Sequence, residues 1–392
     1  MNVYWFFQGH GTPMLMVPGF FFLTGGISNK FCGLAQYVNL VGITIGYSIT
    51  SAISMAAIER SGCFHKEGHN VGCHVKNNKF MIIFGIIEII LSQIPNFHEL
   101  SWLSAVAAVM SFGYSTIGLG LSIAKAVGGN QARTSLTGTT VGVDVTSWQK
   151  TWNCFEAIGD IAFAFAFSTV LVEIQDTLKP NPPENESMKK ATLVGVSVTT
   201  VFYVSCGALG YAAFGNNAPG NFLTGFGFYE PYWLIDMANV FIIVHLIGAY
   251  QVFCQPIFKQ VEDRCFNRWP NSSFIKESPP IKLPLFGVYN FSVFRVVWRT
   301  GYVILTIVLA MLLPFFNAIL GLLGAASFWP LTVYFPIQMH ISREQIRAFS
   351  WKWIWLNFLV LLCLIVSVLA AAGSIATIVK DLSTYEPFNS VS

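Results

Sequence analysis

Ionisable side chains inside apolar segments are the first residues of this chain that could perform chemistry. Glu88, Asp160, Asp236 and His245 each lie within a long apolar run. A carboxyl or imidazole group at such a depth can bind and release a proton, so we treat these groups as functional candidates. Glu88 has a structural alternative that we favour, a protonated carboxyl packed against a neighbouring helix. For His245, a hydrogen bond to a backbone carbonyl is an equal alternative. The remaining three residues, Asp160, Asp236 and His245, are our candidates for a coupled proton.

The segment 156–174, EAIGDIAFAFAFSTVLVEI, combines an apolar character with a glycine–aspartate pair and alternating phenylalanines. Alternation is the period of a strand rather than of a helix. Membrane helices break only where the freed backbone groups line a cavity or meet protein, and transporters use such breaks to bind substrates. The residues leave two interpretations open, a broken helix that opens at Gly159 and Asp160 or an ordinary bulky helix in lipid.

The composition of the whole chain indicates a membrane protein. Of 392 residues, 54% are hydrophobic and 10% are charged, and the mean hydropathy is +0.58. Soluble domains carry roughly 25% charged residues. A net charge of +3 is too small to suggest a nucleic-acid partner, and the sequence contains no G-x-S-x-G, H-E-x-x-H, P-loop or C-x-x-C motif. We therefore expect an all-α polytopic membrane protein that is not an enzyme and needs no cofactor or metal.

Nine membrane spans are predicted from apolar runs of about 20 residues. They are 31–57, 80–96, 101–126, 153–174, 191–214, 233–257, 294–316, 318–338 and 354–379. Lysine and arginine concentrate in the loops 175–190, 258–293 and 339–353, which we therefore place in the cytoplasm. The loop 58–79 then lies outside, although its four basic residues argue weakly against this orientation.

The loop 58–79 contains cysteines and histidines that allow two arrangements. Cys63 and Cys73 would form a short disulfide in an oxidising extracellular setting, which we favour. With the three loop histidines the same cysteines could bind zinc, but their spacing matches no standard zinc site.

Polar residues of the first span fall on one face of a helix, and Tyr47 is among them. Such a stripe avoids lipid, because unpaired polar groups are costly there. It forms either interhelical hydrogen bonds or one wall of an aqueous pathway.

Long segments of the chain resemble the plant amino acid permeases. The resemblance is carried by IGDIAFAFAFSTVLVEI (158–174), YWLIDMANVFIIVHLIGAYQVFCQPIFKQVE (232–262) and PFFNAILGLLGAASFWPLTVYFPIQMHI (314–341). It extends from about Lys30 to the C-terminus, so we divide the chain into a divergent segment 1–29 and a transporter domain 30–392. The resemblance implies a LeuT-type inverted-repeat fold and a proton-coupled plasma-membrane symporter of amino acids. The neutral amino acids are the expected substrates, with acidic ones as a further class.

The same resemblance implies where the substrate binds. GDIAFAFAF corresponds to a broken helix of the family, and a second wall of the pocket corresponds to the first span here. The implied substrate-binding residues are Asp160, Ala162, Phe163, Ala164, Phe165, Phe167 and Tyr47. Amino acids, protons and the lipid bilayer are the implied partners.

The chain departs from the family pattern at its N-terminal end. The family has eleven spans, and the two that we do not find are the first and second, one of which is also broken. We expect a shortened form of the transporter. The alternative function is a transport-inactive membrane protein that regulates or associates with full-length permeases.

Overall fold

The computed structural model of the chain is helical along most of the residues that it describes. These are residues 26–70, 72–94, 101–128, 132–175, 178, 181–227, 229, 231–275, 281–283, 287–289, 292–313 and 316–383. The helices are α1 (Gly26–Glu67), α2 (Asn78–Ser92), α3 (Ser101–Val127), α4 (Ser147–Ala164), α5 (Leu171–Gln175), α6 (Glu184–Phe214), α7 (Tyr232–Arg268), α8 (Val293–Leu312), α9 (Phe316–Ser327), α10 (Phe335–Arg343) and α11 (Trp351–Leu382).

Within the described ranges, seven helical segments are long and apolar enough to cross a membrane. They are Lys30–Glu67, Trp102–Val127, Glu184–Asn217, Tyr232–Arg268, Val293–Leu312, Ala318–Arg343 and Trp351–Leu382. Because about 20 apolar residues cross the hydrocarbon core, the chain is a multi-pass membrane protein. The all-helical polytopic fold expected from the composition is confirmed, with a short antiparallel hairpin added, β1 (Ile281–Leu283) and β2 (Gly287–Tyr289).

Helices occupy the position of each of the nine predicted spans, but their lengths differ from the prediction. The helix α2 has only 15 residues, and the span 153–174 is divided between α4, a 3₁₀ segment and α5. In contrast, α1 runs on to Glu67 and α7 to Arg268. Hydropathy predicts only the apolar part of a helix. The helix itself is longer where its backbone hydrogen bonding continues into the polar residues beyond that part.

The chain forms two compact units. Among the residues that the structure describes, the first comprises those within 26–42, 139–200 and 317–383. Within it, α4 packs along α11, and a cluster of Cys32, Leu331, Phe335 and Met339 is buried. A π-helical segment, Phe328–Tyr334, joins α9 to α10. Pro330 lies inside this segment and has no N–H to donate, and the N–H of Phe335 bonds its carbonyl five residues back.

Among the residues that the structure describes, the second unit comprises those within 43–138 and 201–316. Within it, α3 packs along α7, and α2 packs on both α7 and α8. Gly248 of α7 lets the two long helices approach, because a Cβ there would lie 3.1 Å from the carbonyl oxygen of Leu103. Polar contacts also hold the helices of this unit together. Thr44 of α1 and Tyr302 of α8, for example, are hydrogen-bonded at 2.8 Å. Small residues and interhelical hydrogen bonds are the usual means of helix association in lipid.

Candidate functional site

The segment that the sequence marked as unusual contains a real helix break. Helix α4 starts with a capping box between Thr146 and Gln149 and ends at Ala164. Phe165 then has φ −104° and ψ 16°, a 3₁₀ turn covers Ala166–Thr169, and Val170 again leaves the helical region. The helix resumes only for the five residues of α5. The predicted break is therefore present, and the ordinary continuous helix is excluded.

The position of the break differs from our prediction. We expected the helix to open at Gly159 and Asp160, but both lie inside regular α4. Gly159 instead serves close packing, because a Cβ there would lie 2.9 Å from the carbonyl carbon of Gly321 and closer still to its oxygen. The expectation was wrong because a glycine in a membrane helix serves interhelical packing as readily as it breaks a helix.

Asp160 is held at the same contact between α4 and α9. One of its carboxyl oxygens, Oδ1, is buried and has no hydrogen-bond partner within the described part of the chain. This oxygen faces Gly321, where an added Cβ would approach it to 3.1 Å. A buried carboxyl oxygen needs a proton, a water molecule or a bound group to compensate for lost hydration.

A second carboxylate, which our sequence analysis did not select, lies one helical turn before Asp160. Glu156 accepts a hydrogen bond of 2.6 Å from Thr377 of α11. Its backbone N–H would lie 2.7 Å from a Cβ on Gly373 of the same helix, so the two backbones are in contact. The i, i+4 spacing of the two acids was a signal available in the sequence, since such residues share a helix face.

The aromatic and alanine residues of the predicted pocket are distributed around the end of α4. The backbone N of Phe163 would lie 2.6 Å from a Cβ on Gly324, so this residue packs against α9. Phe165 occupies the C-cap position and is partly buried. Phe167 lies in the 3₁₀ turn and is 39% exposed. Ala162 is partly buried and Ala164 is exposed.

Tyr47, the remaining predicted pocket residue, belongs to the second unit, whereas Asp160–Phe167 belong to the first. Its ring meets Phe253 of α7 edge-on with 5.7 Å between the ring centroids. The polar stripe of the first span faces protein, because Gln36, Asn39 and Ser54 are all buried.

His245 and Asp236 both lie on α7 of the second unit but in different surroundings. Nδ1 of His245 lies 2.9 Å from the carbonyl oxygen of Ala107 and 2.7 Å from Oγ of Ser111. Because a carbonyl only accepts, Nδ1 carries the proton in that bond. This is the structural alternative that the sequence left open for His245. Asp236 lies beside Ser61 of α1, and its Oδ1 has no partner among the described residues.

The disulfide that the sequence favoured joins the end of α1 to the segment that follows it. Cys63 and Cys73 are bonded, with their Cα atoms 6.1 Å apart. The bond removes both thiolates from the alternative zinc site, because a metal ligand must be a free thiolate. In the parts of the chain that the structure describes, histidines, cysteines and acids form no group of three or more that could hold a metal.

Comparisons with known proteins match this chain over most of its length. A family model described as "Transmembrane amino acid transporter protein" matches residues 9–380. Amino acid permease 6 of Arabidopsis thaliana is 64% identical over 366 residues, which are 93% of this chain and 76% of the relative. Amino acid permease 1 of the same plant is 59% identical over 94% of this chain and 76% of its own length. Lysine histidine transporter-like 1, also from Arabidopsis thaliana, is 30% identical over 90% of this chain and 72% of its own length.

Proposed function

The chain belongs to the transmembrane amino acid transporter family, and we propose that it is a proton-coupled symporter that imports amino acids across the plasma membrane. Neutral amino acids are its main substrates, and acidic ones are a further class. No covalent step is required, because transport needs only alternating access and a driving ion gradient. The observation that carries this proposal is the helix break at Phe165–Val170, about one turn beyond Asp160, whose Oδ1 is buried.

The break supplies groups that suit an amino acid zwitterion. The C-terminal end of a helix carries a partial negative charge from its last carbonyl groups, so the end of α4 favours an ammonium group. The side chains of Phe163, Phe165 and Phe167 offer apolar surface for the substrate side chain. Asp160 lies in the same helix, and its charge state alters the electrostatic potential at the break. Broken membrane helices bind substrates in this way in other transporters.

A coupled proton is proposed to reside on Asp160, with Asp236 and His245 as the further candidates. Loading one positive charge from outside is driven by the membrane potential, which contributes about 2.3 kcal/mol per charge per 100 mV. His245 is the weakest of the three, because its Nδ1 proton is engaged by Ala107.

The orientation that we propose places the disulfide loop outside the cell. Disulfides persist in oxidising compartments, and the basic loops 175–190, 258–293 and 339–353 then face the cytoplasm. Inward transport from the cell exterior follows if the protein resides in the plasma membrane.

Uptake of labelled amino acids in an uptake-deficient yeast tests the proposal, after the protein has been detected at the cell surface. We expect uptake that rises on acidification and disappears with a protonophore. Asp160→Asn should lose the acid stimulation, whereas Asp144→Asn, the same change on an exposed loop, should not. An uptake rate that changes neither with external pH nor with the protonophore would contradict proton coupling. Absence of any uptake by the surface-exposed protein would contradict the proposed function itself.

A further inference from the structure

A fully buried glutamate lies in the second unit, in a region that the proposed mechanism does not use. Glu88 of α2 has no solvent-exposed surface. Its Oε2 accepts a hydrogen bond of 2.6 Å from Nε2 of Gln251 on α7. Its other oxygen, Oε1, has no hydrogen-bond partner among the residues that the structure describes. Glu88 is thus a buried acid with one oxygen engaged and one unsatisfied.

Gln251 connects Glu88 to further polar groups. The same Nε2 lies 3.1 Å from Oγ of Ser92, and Oε1 of Gln251 accepts from Gln255 at 3.2 Å. All of these side chains are buried. Because the amide of Gln251 donates to Glu88 and accepts from α7, its orientation depends on what Glu88 can accept.

The polar groups continue to an ion pair at the end of α2. Arg299 of α8 donates to the carbonyl oxygens of Ser92 at 2.7 Å and Ile94 at 3.0 Å. It also donates to both carboxyl oxygens of Glu262, at 2.6 and 3.0 Å. Arg295 adds a third bond to Glu262 at 3.1 Å and is the most exposed member, with 19% of its side chain accessible. The polar groups therefore extend from the fully buried Glu88 to the partly exposed Arg295.

The two arginines of this network contact Glu262 rather than Glu88. Both arginines are hydrogen-bonded to Glu262. The ionisable groups that approach Glu88 from α7 are Tyr250 and Cys254. On α8, Arg299 bonds the carbonyl oxygen of Ser92, four residues after Glu88 on α2, and the phenol of Tyr302 is bonded to Thr44. The phenol of Tyr250 is likewise bonded to Thr306, at 2.9 Å.

No cation is therefore hydrogen-bonded to Glu88 in the described contacts. A buried carboxylate without a cationic partner carries a large desolvation penalty, and such a group takes up a proton instead. The surroundings in this structure accordingly suit the neutral, protonated acid.

We propose that Glu88 is a proton-binding group of the transport cycle, which is protonated in the arrangement seen here and releases its proton when the contact between α2 and α7 opens to water. The proposal rests on the proposed proton-coupled function. When the proton leaves, Oε1 gains charge and needs a donor, and the amide of Gln251, which already bonds Oε2, can reorient to supply one. Reorientation of Gln251 changes the contact between α2 and α7, which links proton release to helix movement.

The isosteric variant Glu88→Gln tests this inference, because glutamine mimics the protonated acid and cannot release a proton. If the transport cycle requires Glu88 to release its proton, the variant loses concentrative uptake and acid stimulation but still exchanges labelled for unlabelled substrate. A potential of 100 mV acting on one charge corresponds to about 50-fold accumulation, and this accumulation should disappear. The control is Glu59→Gln, the same change in an exposed pair with Lys79, which should behave as wild type.

Two outcomes separate this inference from the proposed function. Wild-type accumulation that persists unchanged in Glu88→Gln would overturn the role of Glu88 and leave the symporter intact. Wild-type protein that transports without any pH dependence would instead refute proton coupling.

A measurement on the wild-type protein covers the case in which Glu88→Gln does not reach the surface. An apolar carbodiimide reacts with protonated carboxyl groups in apolar surroundings, and mass spectrometry locates the adduct. We expect labelling of Glu88 that falls as the pH is raised and changes when amino acid is added. Labelling that is absent, or independent of both pH and amino acid, would overturn the proposal.

Discussion

The packing of α9 on α4 makes a sharp prediction for Gly324→Ala. A Cβ at this position would overlap the carbonyl oxygen of Gly159 and lie 2.6 Å from the backbone N and 2.8 Å from Cβ of Phe163. Ordinary van der Waals contact begins at 3.4 Å. Because the atoms in the way are backbone rather than flexible side chain, the two helices must separate by about 1 Å to admit one methyl group.

The expected change in the stability of Gly324→Ala is the sum of two opposing effects. Alanine favours a helix over glycine by about 1 kcal/mol, whereas overpacking costs about 1–3 kcal/mol. Gly207→Ala is the matched control, since Gly207 lies in α6, is exposed, and has no atom within 4 Å of an added Cβ. Both variants gain the same helix propensity, so the difference between them isolates the overpacking cost of about 1–3 kcal/mol.

Thermal unfolding of detergent-solubilised protein, followed by size-exclusion chromatography, measures this difference. Gly324→Ala should unfold several degrees below Gly207→Ala and should also transport more slowly, because α4 bears the helix break. Equal midpoints for the two variants would refute the backbone contact between α4 and α9.

Three further predictions concern other contacts. Glu262→Gln removes the partner of buried Arg299 and should cost about 3–5 kcal/mol, seen as a large drop in the unfolding midpoint; an unchanged midpoint would contradict the buried ion pair. Cys63 and Cys73 should react with an impermeant maleimide on intact cells only after reduction, and labelling without reduction would contradict the disulfide or its outward position. Thr377→Val loses the hydrogen bond to the α4 carboxylate and should cost about 1 kcal/mol, whereas Thr377→Ser should retain it; equal losses would contradict that bond.

The positions of the helices could be predicted from sequence because lipid imposes a simple requirement. A spanning segment must be apolar over about 20 residues and satisfy its own backbone. The residues at which the helices end could not be predicted as well. Helix α7 continues through Pro256 to Arg268, because polar residues beyond the lipid still form backbone hydrogen bonds.

The details of the candidate site depend on contacts between distant segments, which a single sequence does not display. The segment around Asp160 was correctly marked as broken, but the break falls at Phe165–Val170 because Gly159 is used for packing on Gly321. Glu156 was overlooked because a glutamate at the start of a span resembles an interfacial residue. Its role appears only when Thr377, 221 residues away in sequence, is placed beside it.

Accumulation of labelled amino acid in proteoliposomes containing only this chain tests the central claim most directly. With an acidic exterior and a negative interior imposed, we predict that a neutral amino acid accumulates above its external concentration and that a protonophore abolishes the accumulation. Empty liposomes serve as the negative control. Equilibration without accumulation, or accumulation that survives the protonophore, would contradict a proton-coupled symporter.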